Sequence, residues 1–164
     1  MIAASHGAHK GGNVQPCVDT VRQFSQLEAN ASLPKIRERA GIIMQLNILL
    51  KGYLDRLKQE DIELGIDPIK QLNSATDQNL ILVLSEICVI QPVIQRLIDE
   101  IVAQHVTPED LDRGIFTWPA AFKEKPIVWC WQWGEASVQY WRYTQDSFDL
   151  RQEIVKLPKM ALLD

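Results

Sequence analysis

The chain has 164 residues, of which 46% are hydrophobic and 23% are charged, and its formal net charge is −4. This length suits one domain with its own core, and the composition excludes a globally disordered or fibrous protein. The negative charge argues against a nucleic-acid binder, because neutralising phosphates needs a concentrated basic surface. We therefore interpret the basic residues Lys35, Arg37 and Arg39 as a solvated helix face.

The cysteines indicate a reducing compartment. Their number is odd, and Cys17, Cys88 and Cys130 lack the paired spacings of a zinc site or a disulfide framework. No apolar run approaches the ~20 residues of a membrane span, and the N-terminus lacks the pattern of a signal peptide. We expect a cytoplasmic protein with no membrane span, no bound metal and no cofactor.

Both ends of the chain are predicted to be tails. Residues 1–18 are rich in small residues and cannot bury enough apolar surface to offset the entropy of ordering. His6 and His9 have a helical spacing, but no carboxylate or thiolate stands nearby to complete a metal site, so we interpret them as solvated. A single domain is expected over residues 19–152, and residues 153–164 form the second tail.

The first helix is predicted to begin at Gln26, because Ser25 and Glu28 form a capping box. Pro34 lacks a backbone N–H and disfavours helix in the residue before it, so we expect the first turns to end or kink there. A longer helix then restarts at Pro34 and runs to about Leu64. Its apolar stripe recurs at helical spacing and includes Ile36, Ile43, Leu50 and Leu57.

A short helix and a second long helix are predicted next. Gly65 ends the first long helix, and Asp67-Pro68 supplies an N-cap and a first-turn proline for the short one. The second long helix is expected from about Gln78 to His105, with a kink at Pro92 and with His105 placed to interact with the helix dipole. The two long helices, within residues 26–105, are predicted to form an antiparallel hairpin.

The segment Pro126–Tyr143 is predicted to be a β-hairpin, because two runs of β-branched and aromatic residues flank a polar break that contains Gly134. Either a tight turn at Glu135-Ala136 or a wider loop using Gly134 produces the same register. That register pairs three residues across the strands on one face: Trp133/Val138, Trp131/Tyr140 and Trp129/Arg142. In it the Arg142 guanidinium stacks on the Trp129 indole.

A third strand is predicted beside the hairpin. Gly114–Pro119 is a short extended segment that ends at a proline, and an isolated two-stranded hairpin is only marginally stable in water. The β element therefore spans residues 114–144. The predicted fold is α+β and mainly α, with a long antiparallel helical hairpin and a small C-terminal antiparallel β-hairpin or three-stranded sheet.

Two groups of motifs occur in a characteristic order and spacing. The first is Phe24–Pro34, and the second joins Gly114–Pro119, Cys130–Glu135, Tyr140-Trp141 and Phe148–Arg151. Together they resemble the DUF2203 family of small bacterial proteins, and the resemblance covers residues 24–151. It implies a helical hairpin followed by a β element. It implies no activity, because the family has none assigned.

The chain departs from the family's pattern at three polar positions. Where the family tends to have Asp, Arg and His, this chain has Thr117, Gln132 and Arg142. The family's Asp, Arg and His are among the side chains best suited to acid–base or metal chemistry, and this chain lacks them at these positions. If the family has an enzymatic site, the resemblance implies that this member lacks part of it.

Two functional hypotheses follow, and no catalytic residue is identified in either. In the first, the protein is a non-catalytic interaction or scaffold protein that forms a homodimer, or binds another protein, through its long helices. Its interaction face consists of Ile36, Ile43, Leu50 and Leu57, because the first long helix exceeds what a small β element can cover. In the second, a small-molecule or enzymatic site lies at the tryptophan-rich hairpin, with the candidate residues Glu135, Arg142, Arg151 and Trp131.

Overall fold

The computed structural model describes residues 22–156, so the predicted tail over residues 1–18 and most of the second tail lie outside the described residues. Three helices precede a sheet of five antiparallel strands, which confirms the α+β class. The helices are α1 (Gln26–Gln59), α2 (Pro68–Ser74) and α3 (Gln78–Val102). The strands are β1 (Thr107–Asp110), β2 (Ile115–Phe122), β3 (Lys125–Gln132), β4 (Tyr140–Tyr143) and β5 (Gln152–Glu153).

The N-terminus of α1 forms as predicted. Ser25 Oγ accepts a hydrogen bond from the backbone N–H of Glu28 at 3.2 Å, and the Glu28 carboxylate accepts one from the Ser25 N–H at 2.8 Å. These two bonds satisfy donors that a helix start otherwise leaves unpaired. The predicted start at Gln26 is confirmed.

The helix end predicted at Pro34 is wrong, because α1 runs through that proline without interruption, while the alternative of a kink stays a prediction. A proline inside a helix removes one backbone hydrogen bond. Leu33 and Ile36, on either side of it, are both buried, and their packing offsets the lost bond.

The C-terminus of α1 also differs from the prediction, since the helix ends at Gln59 and not near Leu64. Asp61 takes a positive φ of 54°, and the N–H of Ile62 donates to the carbonyl of Leu57 at 2.9 Å. This is a Schellman motif with an aspartate in the position that glycine usually takes. Leu57 and Ile62 also pack together at the helix end.

The starts of α2 and α3 agree with the sequence. Asp67 caps α2 at Pro68, and Asp77 caps α3 at Gln78. α3 is continuous through Pro92 and ends at Val102, three residues before its predicted end at His105. His105 lies beyond the helix and has a positive φ of 60°. α1 and α3 pack against each other, while their antiparallel arrangement stays a prediction.

The sheet is larger than the predicted two or three strands. β2 pairs with β3 and β3 with β4, so the hairpin and its third strand are confirmed as neighbours. The sequence did not predict β1 or β5, which form the two edges. Both edge strands are short and polar, and they carry no alternation of apolar residues that would indicate a strand. Ile154, just beyond β5, is buried, so packed structure continues past the expected domain end at residue 152.

The register predicted for the hairpin is wrong by one residue. Cys130 pairs with Tyr140, Trp129 with Trp141, and Val128 with Arg142. Seven residues connect β3 to β4, and α1 fixes one of them, Val138. The Val138 N–H donates to the Asn30 side chain at 2.8 Å, and this contact sets the register of the hairpin. A slip of one residue exchanges the two faces of a strand, so Trp141 points to one face and Arg142 to the other.

The two faces of the sheet have different roles. The inner face packs against α1 and α3, and its aromatic residues belong to the main core: Phe116, Trp118, Trp129, Trp131 and Trp141. Two indole N–H groups tie it to the first helix region, since Trp118 donates to Ser32 Oγ at 2.9 Å and Trp129 to the Phe24 carbonyl at 2.7 Å. The opposite, outer face carries Thr117 and Cys130, which are cross-strand partners.

Candidate functional site

Two of the predicted ligand residues meet at the end of the sheet. Arg151 Nη1 lies 2.7 Å from Glu135 Oε1, and each side chain is 21% exposed. The other Glu135 carboxylate oxygen accepts the backbone N–H of Gln132 at 2.9 Å. The carboxylate therefore has partners within the chain for both of its oxygens.

Two aromatic rings contact the guanidinium of Arg151. Its Cζ atom lies 4.2 Å from the centre of the Tyr140 ring and 4.4 Å from the centre of the Phe148 ring. Arg113 stacks on the same Phe148 ring at 5.2 Å and pairs with Asp149 at 3.2 Å. Cation–π contacts of this kind stabilise a fold without any ligand. We call Glu135, Arg151, Tyr140, Phe148 and Arg113 the sheet-end cluster.

Arg142 lies apart from the sheet-end cluster, in a buried polar group on the outer face of the sheet. Its guanidinium donates to the Glu109 carboxylate, which also accepts the Thr117 hydroxyl at 3.0 Å. Arg142 donates further to three backbone carbonyl groups of the following loop, those of Tyr143, Thr144 and Asp146. The predicted stack of Arg142 on Trp129 is wrong, because the two side chains point to opposite faces.

Cys130 lies beside this polar group, across the strands from Thr117. Burial raises the pKa of its thiol to about 12, and the Arg142 guanidinium lowers it by less. A nucleophilic cysteine needs a lowered pKa, which supplies the thiolate. Cys130 is thus a neutral thiol at pH 7, and it packs as a small apolar residue.

Trp131 is wholly buried on the inner face. Its indole N–H donates to the Glu135 carbonyl at 2.9 Å, and its ring lies 6.0 Å from the rings of both Phe116 and Trp133. The prediction that Trp131 packs in the core is confirmed. Its candidacy as a stacking residue for a ligand is wrong, because no face of the ring is open.

The three positions at which the resemblance implies a departure, Thr117, Gln132 and Arg142, share the outer face of the sheet. Thr117 pairs with Cys130 across the strands, Gln132 follows Cys130 by two residues on β3, and Arg142 on β4 pairs with Val128, two residues before Cys130. Sequence reasoning missed Glu109, which links Thr117 and Arg142. The only signal for it was a carboxylate in the short polar segment that becomes β1.

Three of the four residues predicted as the interaction face lie inside the protein. Ile36, Ile43 and Leu57 are buried, and Leu50 is half-buried against both clusters of core residues. The prediction is wrong for the three buried side chains, because α3 and a sheet of five strands cover this side of α1, whereas the half-buried Leu50 stays a prediction. A partner can bind only a different side of the helix.

That different side carries a regular row of exposed residues, which we call the outer stripe. Its six members are spaced by four, three, four, three and four residues along α1: Glu38, Ile42, Gln45, Leu49, Gly52 and Arg56. Ile42 is 43% exposed and Leu49 is 53% exposed. This spacing is that of the a and d positions of a coiled coil, which face a partner helix.

An open groove of about 480 Å³ runs along one end of the outer stripe. Its walls include Glu38, Ile42 and Gln45 on α1 and the ring of Trp133 beyond β3. Trp133 is 43% exposed and lies so close to Gly41 that a Cβ atom there would meet the ring at 2.9 Å. The groove therefore depends on a glycine that lets the indole approach the helix.

Within residues 22–156 no three His, Cys, Asp or Glu side chains are grouped to hold a metal ion. The histidines His6 and His9 and the cysteine Cys17 lie outside the described residues.

α3 is long and apolar enough to cross a membrane by length and composition. Seven of its side chains are buried within the fold: Val83, Leu84, Ile87, Ile90, Ile94, Leu97 and Ile101. A core helix of a soluble protein has the same length and composition, so the pattern alone is weak evidence for a span. The expected absence of a membrane span stays a prediction.

Comparison with protein families matches residues 22–154 to the family described as "Uncharacterized conserved protein (DUF2203)". This range covers most of the chain, and it confirms the resemblance of the motifs. Comparisons with curated proteins and with solved structures gave no match.

Proposed function

We propose a function for this chain, which belongs to the DUF2203 family, from the outer stripe of α1. Through this stripe the protein binds a second copy of itself and acts as a non-catalytic interaction or scaffold protein. The observation that carries the proposal is the heptad spacing of the six exposed stripe residues, with Ile42 and Leu49 among them.

A helix is the partner that this spacing suits. Residues repeated every 3.5 positions stay on one side of a helix that coils slightly around another helix. Ile48, beside the stripe, is 71% exposed and widens the apolar area. Adjacent exposed apolar side chains on a long helix favour association with another apolar surface.

The polar groups at the sheet give less support to the small-molecule alternative. Glu135 and Arg151 are paired with each other, and Arg142 is paired with Glu109. A binding site needs polar groups that a ligand can satisfy, whereas each of these charges is already paired within the chain, although Arg142 Nε and Arg151 Nη1 have no hydrogen-bond partner among the described residues. We therefore regard both polar groups as structural.

We also propose a cytoplasmic location, on the evidence of the unpaired cysteines. Cys88 and Cys130 are free thiols in the part of the chain that the structure describes, as a reducing compartment would keep them.

Sedimentation equilibrium of the full chain at micromolar concentration tests the proposal. We expect the mass of a dimer for the wild type and of a monomer for the variant that combines Ile42→Glu with Leu49→Glu. The matched control combines Leu82→Glu with Val89→Glu on α3, because these residues are also seven apart and are 61% and 65% exposed.

The control should remain dimeric, and circular dichroism should show unchanged helicity in both variants. A monomeric wild type contradicts the proposal. So does a dimer that survives the two α1 substitutions.

A further inference from the structure

We propose that two copies pair through their outer stripes in an antiparallel manner, with Glu38 of each copy against Arg56 of the other. This inference rests on the proposed function and adds the direction and register of the contact. The two-fold axis passes beside position 47 of α1.

The stripe is self-complementary about that position. Glu38 and Arg56 are each nine residues from position 47, Ile42 and Gly52 are each five away, and Gln45 and Leu49 are each two away. A two-fold interface requires that each contact between two residues occurs twice with the roles exchanged. All six stripe residues meet this requirement in a single register.

The charges at the two ends of the stripe select the antiparallel direction. Glu38 and Arg56 are exposed, and within residues 22–156 neither makes an ion pair or a side-chain hydrogen bond. An antiparallel pair of helices forms two Glu38–Arg56 contacts between opposite charges. A parallel pair would instead bring Glu38 to Glu38 and Arg56 to Arg56, and like charges across an interface oppose binding.

The sizes of the middle residues also match in this register. Gly52 lies inside a helix, where glycine is unfavourable, and a Cβ atom at this position would find nothing within 4 Å. The register places Ile42 of the second copy opposite this empty position, so a large side chain meets a gap. Helices approach closely where such large and small residues alternate.

The groove beside Trp133 accommodates the same partner helix. Glu38, Ile42 and Gln45 line the groove, so the register brings Gly52 and Arg56 of the second copy to it. The Arg56 guanidinium then lies between the Glu38 carboxylate and the exposed Trp133 ring. A cation close to an indole face is favourable, and Trp133 would lose solvent exposure on dimerisation.

Charge reversal at the two stripe ends tests this register in the full chain. We expect Glu38→Arg alone, and Arg56→Glu alone, to weaken the dimer about tenfold or more in sedimentation equilibrium, which is about 1.4 kcal/mol. The double variant restores opposite charges and should return the dissociation constant to within about threefold of the wild type. Glu86→Arg on the exposed side of α3 is the control, and it should leave the dissociation constant unchanged.

The outcomes separate the register from the proposed function. A monomeric wild type overturns both. A dimeric wild type whose single variants are unaffected, or whose double variant is as weak as the single ones, overturns the register and leaves self-association in place.

A second variant examines the fit at the middle of the stripe. Gly52→Leu should increase helicity, because leucine favours helix, yet it should lose most of the dimer by filling the position that Ile42 occupies. A dimer of unchanged strength in this variant also overturns the register.

Discussion

Arg142 on β4 donates to the carboxylate of Glu109 on β1, although β2 and β3 lie between these two strands. Thr117, which donates to the same carboxylate, and its cross-strand partner Cys130 lie on β2 and β3 between them, and both are buried. The two charged side chains therefore cover part of the outer face, while α1 and α3 pack on the inner face. In the part of the chain that the structure describes, this bridge contributes to the burial of Thr117 and Cys130, which are 2% and 0% exposed.

Removing one partner of this bridge should destabilise the fold. Glu109→Gln leaves the Arg142 guanidinium buried without a counter-charge, and we expect a loss of about 2–4 kcal/mol in the free energy of unfolding. This expected loss of stability is smaller than is typical for breaking a fully buried ion pair, because the Glu109 side chain is 26% exposed. Urea unfolding measures it, with the exposed Glu86→Gln as the control. Equal stability of the two variants would mean that the loop carbonyls alone hold Arg142.

Two tryptophans that are two positions apart should respond differently to truncation. Trp131→Ala removes a wholly buried ring, and we expect it to lower the free energy of unfolding by about 3–5 kcal/mol. Trp133→Ala removes a ring that is 43% exposed, so we expect a loss nearer 1 kcal/mol. Denaturant unfolding of both variants provides the comparison. Similar losses would show that Trp133 contributes to the core as much as Trp131 does.

The capping box should make stability depend on pH. The backbone N–H of Ser25, followed by its hydroxyl, holds the pKa of Glu28 below its usual value in the folded chain. A lowered carboxyl pKa stabilises the fold above the unfolded pKa, and this contribution is lost as the pH falls through the folded pKa. Glu28→Ala should therefore reduce stability at pH 7 and make less difference below about pH 4. A difference that stays constant with pH would exclude this role for the Glu28 charge.

The thiol of Cys130 should resist modification in the folded protein. Its pKa is raised to about 12 by burial, so almost none of it is thiolate at pH 8. A variant with Cys17→Ser and Cys88→Ser keeps Cys130 as the only thiol of the chain. We expect a thiol reagent to label this variant only when urea unfolds it. Rapid labelling without urea would show that the outer face opens under native conditions.

The sequence determined the features that depend on residues close together in the chain. Ser25 and Glu28 are three apart, and Asp67 adjoins Pro68, so both helix starts follow from local hydrogen bonds and backbone preference. The sequence also singled out Glu135 and Arg151 as candidate site residues, and the structure brings them together as an ion pair. The hairpin and its third strand were recognisable from their aromatic alternation.

The tertiary structure alone decided the register and the exposed side of α1. The Asn30 side chain on α1 holds the Val138 N–H, a contact 108 residues apart in the chain that no local pattern encodes. α1 carries apolar residues on two sides, with Ile43 on one and Ile42 on the other, so periodicity could not distinguish the core side from the solvent side. The covering sheet and α3 buried Ile43 completely and left Ile42 43% exposed, because packing between distant elements determines which apolar side meets water.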